Sequence, residues 1–111
     1  MAEKIRLVQG DTGPQVRLTF TDETSGDPTD LTGATGTLYV RLVGSTTVVI
    51  TRALYINPAT AVNGVAYIVW GAGDLNQDPG DYEGEVEIIL GTGEKITIFD
   101  LLKFRIRADF T

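Results

Sequence analysis

Asp78-Pro79-Gly80-Asp81-Tyr82-Glu83-Gly84-Glu85-Val86-Glu87-Ile88-Ile89-Leu90 is the stretch that decides the fold class. Asp78-Pro79-Gly80 is a turn signal. Beyond it, Tyr82, Gly84, Val86, Ile88 and Leu90 fall on one side at a period of two, and Glu83, Glu85 and Glu87 fall on the other. A period of two is a strand with one buried and one wet face. A slip of one residue would turn the carboxylates into the core, so the register is fixed by chemistry. Such a strand belongs to an antiparallel, half-solvated sheet, because parallel sheets are buried on both faces.

The same alternation recurs along the chain. Glu3 to Gln9 reads as a first strand, with Ile5 and Leu7 inward, and Gly10-Asp11-Thr12-Gly13-Pro14 as a turn. Gln15 to Thr21 points Val16, Leu18 and Phe20 in; Asp22 to Asp30 is a polar loop. Thr35 to Val43 sets Leu38, Val40 and Leu42 against Tyr39 and Arg41. Gly44-Ser45-Thr46 is a hairpin turn, and Thr47 to Ile56 the returning strand. In that strand Arg52 shares the parity of Val48, Ile50, Leu54 and Ile56, which predicts a bulge or an edge position. Val65 to Trp70 is nearly all apolar and reads as a central strand covered on both faces. Residues 72–77 allow at most one short helical turn. Gly91-Thr92-Gly93 is a hairpin turn, with Ile96 and Ile98 inward after it. Leu102, Phe104 and Ile106 complete the core, with Lys103, Arg105 and Arg107 outward. No stretch keeps a 3.6-residue period long enough for a real helix. About eight strands, within a range of 7–9, separated by Gly/Pro turns predict an all-β, immunoglobulin-like antiparallel β-sandwich. Residues 1–111 form a single domain, the size expected of one core.

Composition narrows the chemistry. With no cysteine there is no disulfide framework or thiolate, and with no histidine the commonest general base and zinc ligand are missing. The net charge of -6 opposes binding to nucleic acid or to an anionic membrane. Met1-Ala2-Glu3-Lys4-Ile5-Arg6 lacks the apolar core of a secretory signal, and no apolar run has the length of a membrane span. A soluble protein made in the cytoplasm is therefore expected.

Several side-chain groups are candidates for chemistry, each with a plainer alternative. Glu83, Glu85 and Glu87 match the spacing of Lys103, Arg105 and Arg107, so the two rows form either a cross-strand ladder, two solvated faces, or a surface for another subunit. Asp11, Asp27, Asp30, Asp74, Asp78 and Asp81 sit in turns, where aspartate caps backbone N–H groups; acidic loops also suit calcium, but no EF-hand spacing occurs. Gly71-Ala72-Gly73-Asp74 lacks the Lys-Ser/Thr of a phosphate loop. A pair of acids can hydrolyse glycosides, yet no cleft motif assembles one. Tyr67, Tyr82 and Trp70 suit the core, and Tyr82 after Gly80-Asp81 resembles a tyrosine corner. Tyr39, Tyr55 and Trp70 are the aromatics for a sugar-stacking alternative. No catalytic, cofactor-binding or metal-binding residue is assigned, and neither an enzyme nor a small-molecule ligand is expected.

Four segments taken together resemble a known family. They are Gly10-Asp11-Thr12-Gly13-Pro14, Asp30-Leu31-Thr32-Gly33-Ala34-Thr35, Gly64-Val65-Ala66-Tyr67-Ile68-Val69-Trp70 and Gly80-Asp81-Tyr82-Glu83-Gly84-Glu85-Val86. Their order and spacing resemble the N-terminal domain of phage baseplate upper proteins, over about residues 10–107. The resemblance implies an immunoglobulin-type sandwich that helps to attach receptor-binding parts to phage tails, and it offers no catalytic residues. Members of the family continue into long C-terminal regions, whereas this sequence stops at Thr111. The expectation is a non-enzymatic virion structural protein, a small tail or baseplate subunit or adaptor. Its partners would be other virion proteins and copies of itself, in an oligomer. The alternatives are a capsid decoration protein and a carbohydrate-binding module. The expected contact elements are the edge near Thr47–Ile56, the first strand and the charged rows.

Overall fold

The computed structural model describes residues 4–13, 15–22, 24–98 and 101–110. Glu3 at the expected start of the first strand, Pro14 in the first turn and Glu23 in the polar loop lie outside the described residues. Eight strands follow one another: β1 (Ile5–Val8), β2 (Gln15–Thr19), β3 (Thr35–Leu42), β4 (Val48–Ala53), β5 (Val65–Val69), β6 (Gly80–Ile89), β7 (Lys95–Thr97) and β8 (Leu102–Arg107). They form an all-β, immunoglobulin-like sandwich. The larger sheet runs β1-β8-β6-β3-β4, and the smaller holds β2 and β5. Along one flank of β6, β8 pairs with Gly80–Gly84 and β7 with Glu87–Ile89. All these pairings are antiparallel except β1 with β8, which is parallel, so the larger sheet is mixed.

β6 carries the alternation read from its sequence. Tyr82, Gly84, Val86 and Ile88 are buried, and Glu85 is exposed. Gly84 has a packing reason: a Cβ there would sit 2.8 Å from Phe104 Cε2 and 3.0 Å from Leu38 Cδ1. The Phe104 ring lies in the space that Gly84 leaves, and Trp70 meets it edge-on at 5.9 Å between centroids. Leu38, Val40, Ile68, Ile88 and Ile106 fill the rest of the interior. The Tyr82 hydroxyl donates to the Asp78 carbonyl oxygen at 2.6 Å, which makes the tyrosine corner, and burial raises its pKa.

The two sheets meet along β4. Leu54 N–H donates to Gly36 in β3, while Tyr55 exchanges two hydrogen bonds with Tyr67 of β5. Successive residues of an antiparallel strand point their backbone groups to opposite sides. The chain therefore hands over from one sheet to the other between Leu54 and Tyr55. Beyond that point β4 and β5 splay, and Arg52 spans the seam. Its Nε and Nη2 donate to Asp74 Oδ2 and Oδ1 at 2.7 and 2.9 Å, and Gly71 N–H donates to the same carboxylate. This explains the inward parity of a charged residue. A β-bulge also interrupts the pairing of β4 with β3, at Val40/Arg41. The hydrogen bonds from Arg52, foremost, hold the Asp74 pKa below its ordinary value against the opposing effect of burial.

Four local expectations are corrected. Val65–Val69 is in the two-stranded sheet, so its outer face is open and Val69 is 38% exposed. Residues 72–77 form reverse turns, because Gly73 at φ +84° breaks a helical run; the helical turn is Ala61–Asn63, closed by Gly64 at φ +73°. Leu42 lies at the strand end, beyond the smaller sheet, and is 43% exposed. Ile96 is 37% exposed, because the smaller sheet leaves β7 uncovered, although Ile98 packs on the core. Among the described residues no helix is long and apolar enough to cross a membrane.

Two outcomes follow from the corner and the seam. Tyr82→Phe lowers unfolding free energy by about 1 kcal/mol in urea titration, the worth of one hydrogen bond. Asp74→Asn lowers stability at pH 7. A depressed folded-state pKa stabilises above the unfolded value and is lost as pH falls through the folded one. The gap between wild type and Asp74→Asn therefore narrows below about pH 4, where unfolded aspartate protonates.

Candidate functional site

The outer face of the larger sheet carries a ladder of ion pairs. β6 places Glu83 between Arg41 of β3 and Lys103 of β8, with contacts of 2.7 and 3.7 Å. Asp81 lies between Lys4 and Arg105, both at 3.1 Å, and Glu87 meets Lys95 of β7 at 3.3 Å. Hydrogen bonds from Arg41 lower the Glu83 pKa, and those from Lys4 and then Arg105 lower that of Asp81. The two sequence rows thus come together with a shift. Since β8 pairs only with Gly80–Gly84, its cations reach Asp81 and Glu83, not Glu85 and Glu87. Arg107 turns instead to the Ala108 carbonyl and the Phe110 ring. The cations are 43–61% exposed, so solvent screening leaves these pairs little weight in stability. Tyr39, Arg41, Val48, Glu83, Glu85 and Leu101 line a shallow hollow of about 100 Å³ over this face.

The loop carboxylates serve the backbone. Asp22 Oδ1 accepts from Thr24 and Ser25 N–H, and Asp30 Oδ1 from the Thr32 hydroxyl and N–H. Those hydrogen bonds lower both pKa values, led by Ser25 N–H for Asp22 and the Thr32 hydroxyl for Asp30. Asp74 is taken up by Arg52, a pairing that no local sequence motif announces. Among the described residues no group of three or more carboxylates is placed to hold a metal ion.

The aromatic candidates separate. Trp70 is 4% exposed and lies against Phe104, so no sugar can stack on it; its Nε1 has no partner among the described residues. Tyr39 is half-buried in β3. Tyr55 is 52% exposed and tilts against Tyr67 at 6.3 Å.

Among the exposed apolar surfaces of the described residues, two adjoin the larger sheet. One is the β3–β4 hairpin, where Leu42, Val43, Val48 and Val49 are 40–50% exposed. It adjoins the outer edge of the larger sheet, since no described strand pairs with the far side of β4. The other is a groove of about 490 Å³ between the end of β2 and β7, with Phe20, Leu31, Ile88, Ile96 and Ile98 in its lining. Nothing in the sequence pattern announces the groove, because it arises from the narrowness of the second sheet. Among the described residues β1 and β4 stand at the two ends of the five-strand path of the larger sheet, and β7 pairs with β6 alone.

No family model matches the chain, and no curated protein matches it. Among solved structures, CopC from Methylosinus trichosporium OB3b is similar, with a TM-score of 0.54 and 10% identity. The match covers 97% of this chain and 87% of that one. At this identity the likeness shows the sandwich fold alone.

Because Trp70 is enclosed, its fluorescence emission is blue-shifted, and iodide quenches it efficiently only after unfolding. Addition of mono- or oligosaccharides leaves that emission unchanged.

Proposed function

We propose that this chain is a non-enzymatic structural protein of a phage virion, a small tail or baseplate subunit or adaptor that acts by protein–protein assembly. The observation that carries the reading is the apolar corner at the β3–β4 hairpin. Leu42, Val43, Val48 and Val49 are each at least 40% exposed there, beside a sheet edge. Contiguous apolar residues on a soluble domain mark a contact surface, and an open edge accepts a strand or a packed neighbour. β1, at the opposite edge, is flanked by Lys4 and carries Arg6, whereas Gly44 to Thr51 has no charge to repel a partner. The four-segment resemblance to phage baseplate upper proteins supports placing this surface in a tail.

Immunogold labelling of purified virions tests the location. Gold is expected on the tail or baseplate; gold on the shell selects the capsid decoration reading, and unlabelled virions sink both. Val49→Lys puts a charge on the corner and lowers incorporation into particles at least tenfold, while the thermal melt of the free protein stays close to wild type.

A further inference from the structure

We propose that copies of this chain bind one another, the Phe110 ring of one copy seating in the β2–β7 groove of another. The proposal rests on the assembly reading above and names a contact within it.

Phe110 is 93% exposed, the most solvent-accessible large apolar side chain among the described residues. It follows β8 with the Arg107 guanidinium 5.1 Å from its ring centroid. Arg6 and Arg105 stand opposite each other on the neighbouring β1–β8 pair. Like charges facing across a strand pair are unfavourable within one molecule. Asp81 answers Arg105, and Arg6 has no ion-pair partner among the described residues. Counting Lys4, Arg6, Arg105 and Arg107 against Asp81 and Asp109, the apolar knob stands among more positive than negative side chains, in a protein whose net charge is -6.

The groove has the complementary character. Its apolar part is Phe20, Leu31, Ile88, Ile96 and Ile98, with Leu31 and Ile88 the most buried and Ile96 exposed, and threonines and Asp22 make up the rest of the lining. Asp22 lines it, and Asp27 and Asp30 stand on the same loop. Asp22 and Asp30 bond to backbone N–H and hydroxyl groups, and among the described residues neither forms an ion pair with a cation. Lys95 is nearby in sequence but is taken up by Glu87. A volume of about 490 Å³ accommodates a phenyl ring with its backbone. The two surfaces thus complement each other, a ring and a recess with surroundings of opposite charge.

Topology forbids the contact within one molecule. Ile106 pairs with Gly80 at the start of β6, whereas the groove contains Ile88 near its end. Eight strand residues separate those ends by roughly 27 Å. The three residues from Arg107 to Phe110 reach at most about 11 Å. The ring can only enter the groove of another copy. Such a contact either closes reciprocally, each copy seating its ring in the other's groove as a two-fold dimer, or propagates into a ring or a filament.

Sedimentation velocity on wild type and two variants tests this. Wild type is expected to associate into dimers or larger species as concentration rises, and added salt weakens them because the rims are charged. Phe110→Asp spoils the knob and Ile96→Glu spoils the groove; each alone is expected to be monomeric. Mixed in equal amounts, they are expected to form dimers and nothing larger, since one intact knob meets one intact groove. Should Ile96→Glu fail to fold by circular dichroism, Thr97→Arg blocks the same groove at an exposed position. Wild type that stays monomeric throughout, or oligomers that survive both variants, would overturn the proposal. Surviving oligomers, or virion labelling by a monomeric protein, would leave the assembly reading standing, so the two failures are distinguishable.

Discussion

The interlock of Phe104 with Gly84 is the constraint on which the rest of the sandwich depends. β8 lies beside the start of β6, and its large inward ring needs room on the neighbouring strand. Gly84 provides that room by having no side chain, and Leu38 closes it from β3. The ring then reaches far enough inward to meet Trp70 edge-on from the smaller sheet. One contact thereby ties β3, β6, β8 and the end of β5 together. Glycine in a strand normally costs stability through backbone entropy and lost packing. Here the loss is offset by a large aromatic that reaches the opposite sheet. A methyl group at residue 84 would push Phe104 off Trp70 and part the layers.

The alternation in residues 82–90 was readable because burial and solvation alternate on a strand that is covered on one side only. The same logic placed Leu18, Leu38, Val40, Phe104 and Ile106 inside. It failed where coverage ends. Val65–Trp70 is apolar on both faces, and a run of that kind does not say whether it lies mid-sheet or in a narrow second layer. Leu42 and Ile96 have inward parity but lie past the reach of the smaller sheet. Parity is a local property, whereas coverage depends on how many strands the opposite layer holds.

The charged residues follow the same division. The parity of Arg52 marked it in the sequence as anomalous. Its partner, Asp74, lies in a loop after β5, and no spacing rule links the two. The outward rows of β6 and β8 were legible as rows; their pairing depended on register, which moved the contacts to Asp81 and Glu83. Turn aspartates were legible as such, because an aspartate side chain satisfies N–H groups two or three residues ahead, as Asp22 and Asp30 do.

A five-strand main path opposite a two-strand layer cannot hide all of its apolar face. What the smaller sheet leaves open becomes surface: the β3–β4 corner on one side and the floor of the β2–β7 groove on the other. Exposed apolar area of this kind favours association unless charge or shape prevents it. The corner has no charged residue from Leu42 to Thr51, and the bordering Arg41 is paired with Glu83, while the acid-rimmed groove selects the sign of what can enter. The unequal widths of the two layers thus link the sequence pattern to assembly. The residues that complete the core in a wider sandwich are, in this protein, the residues available to a neighbour.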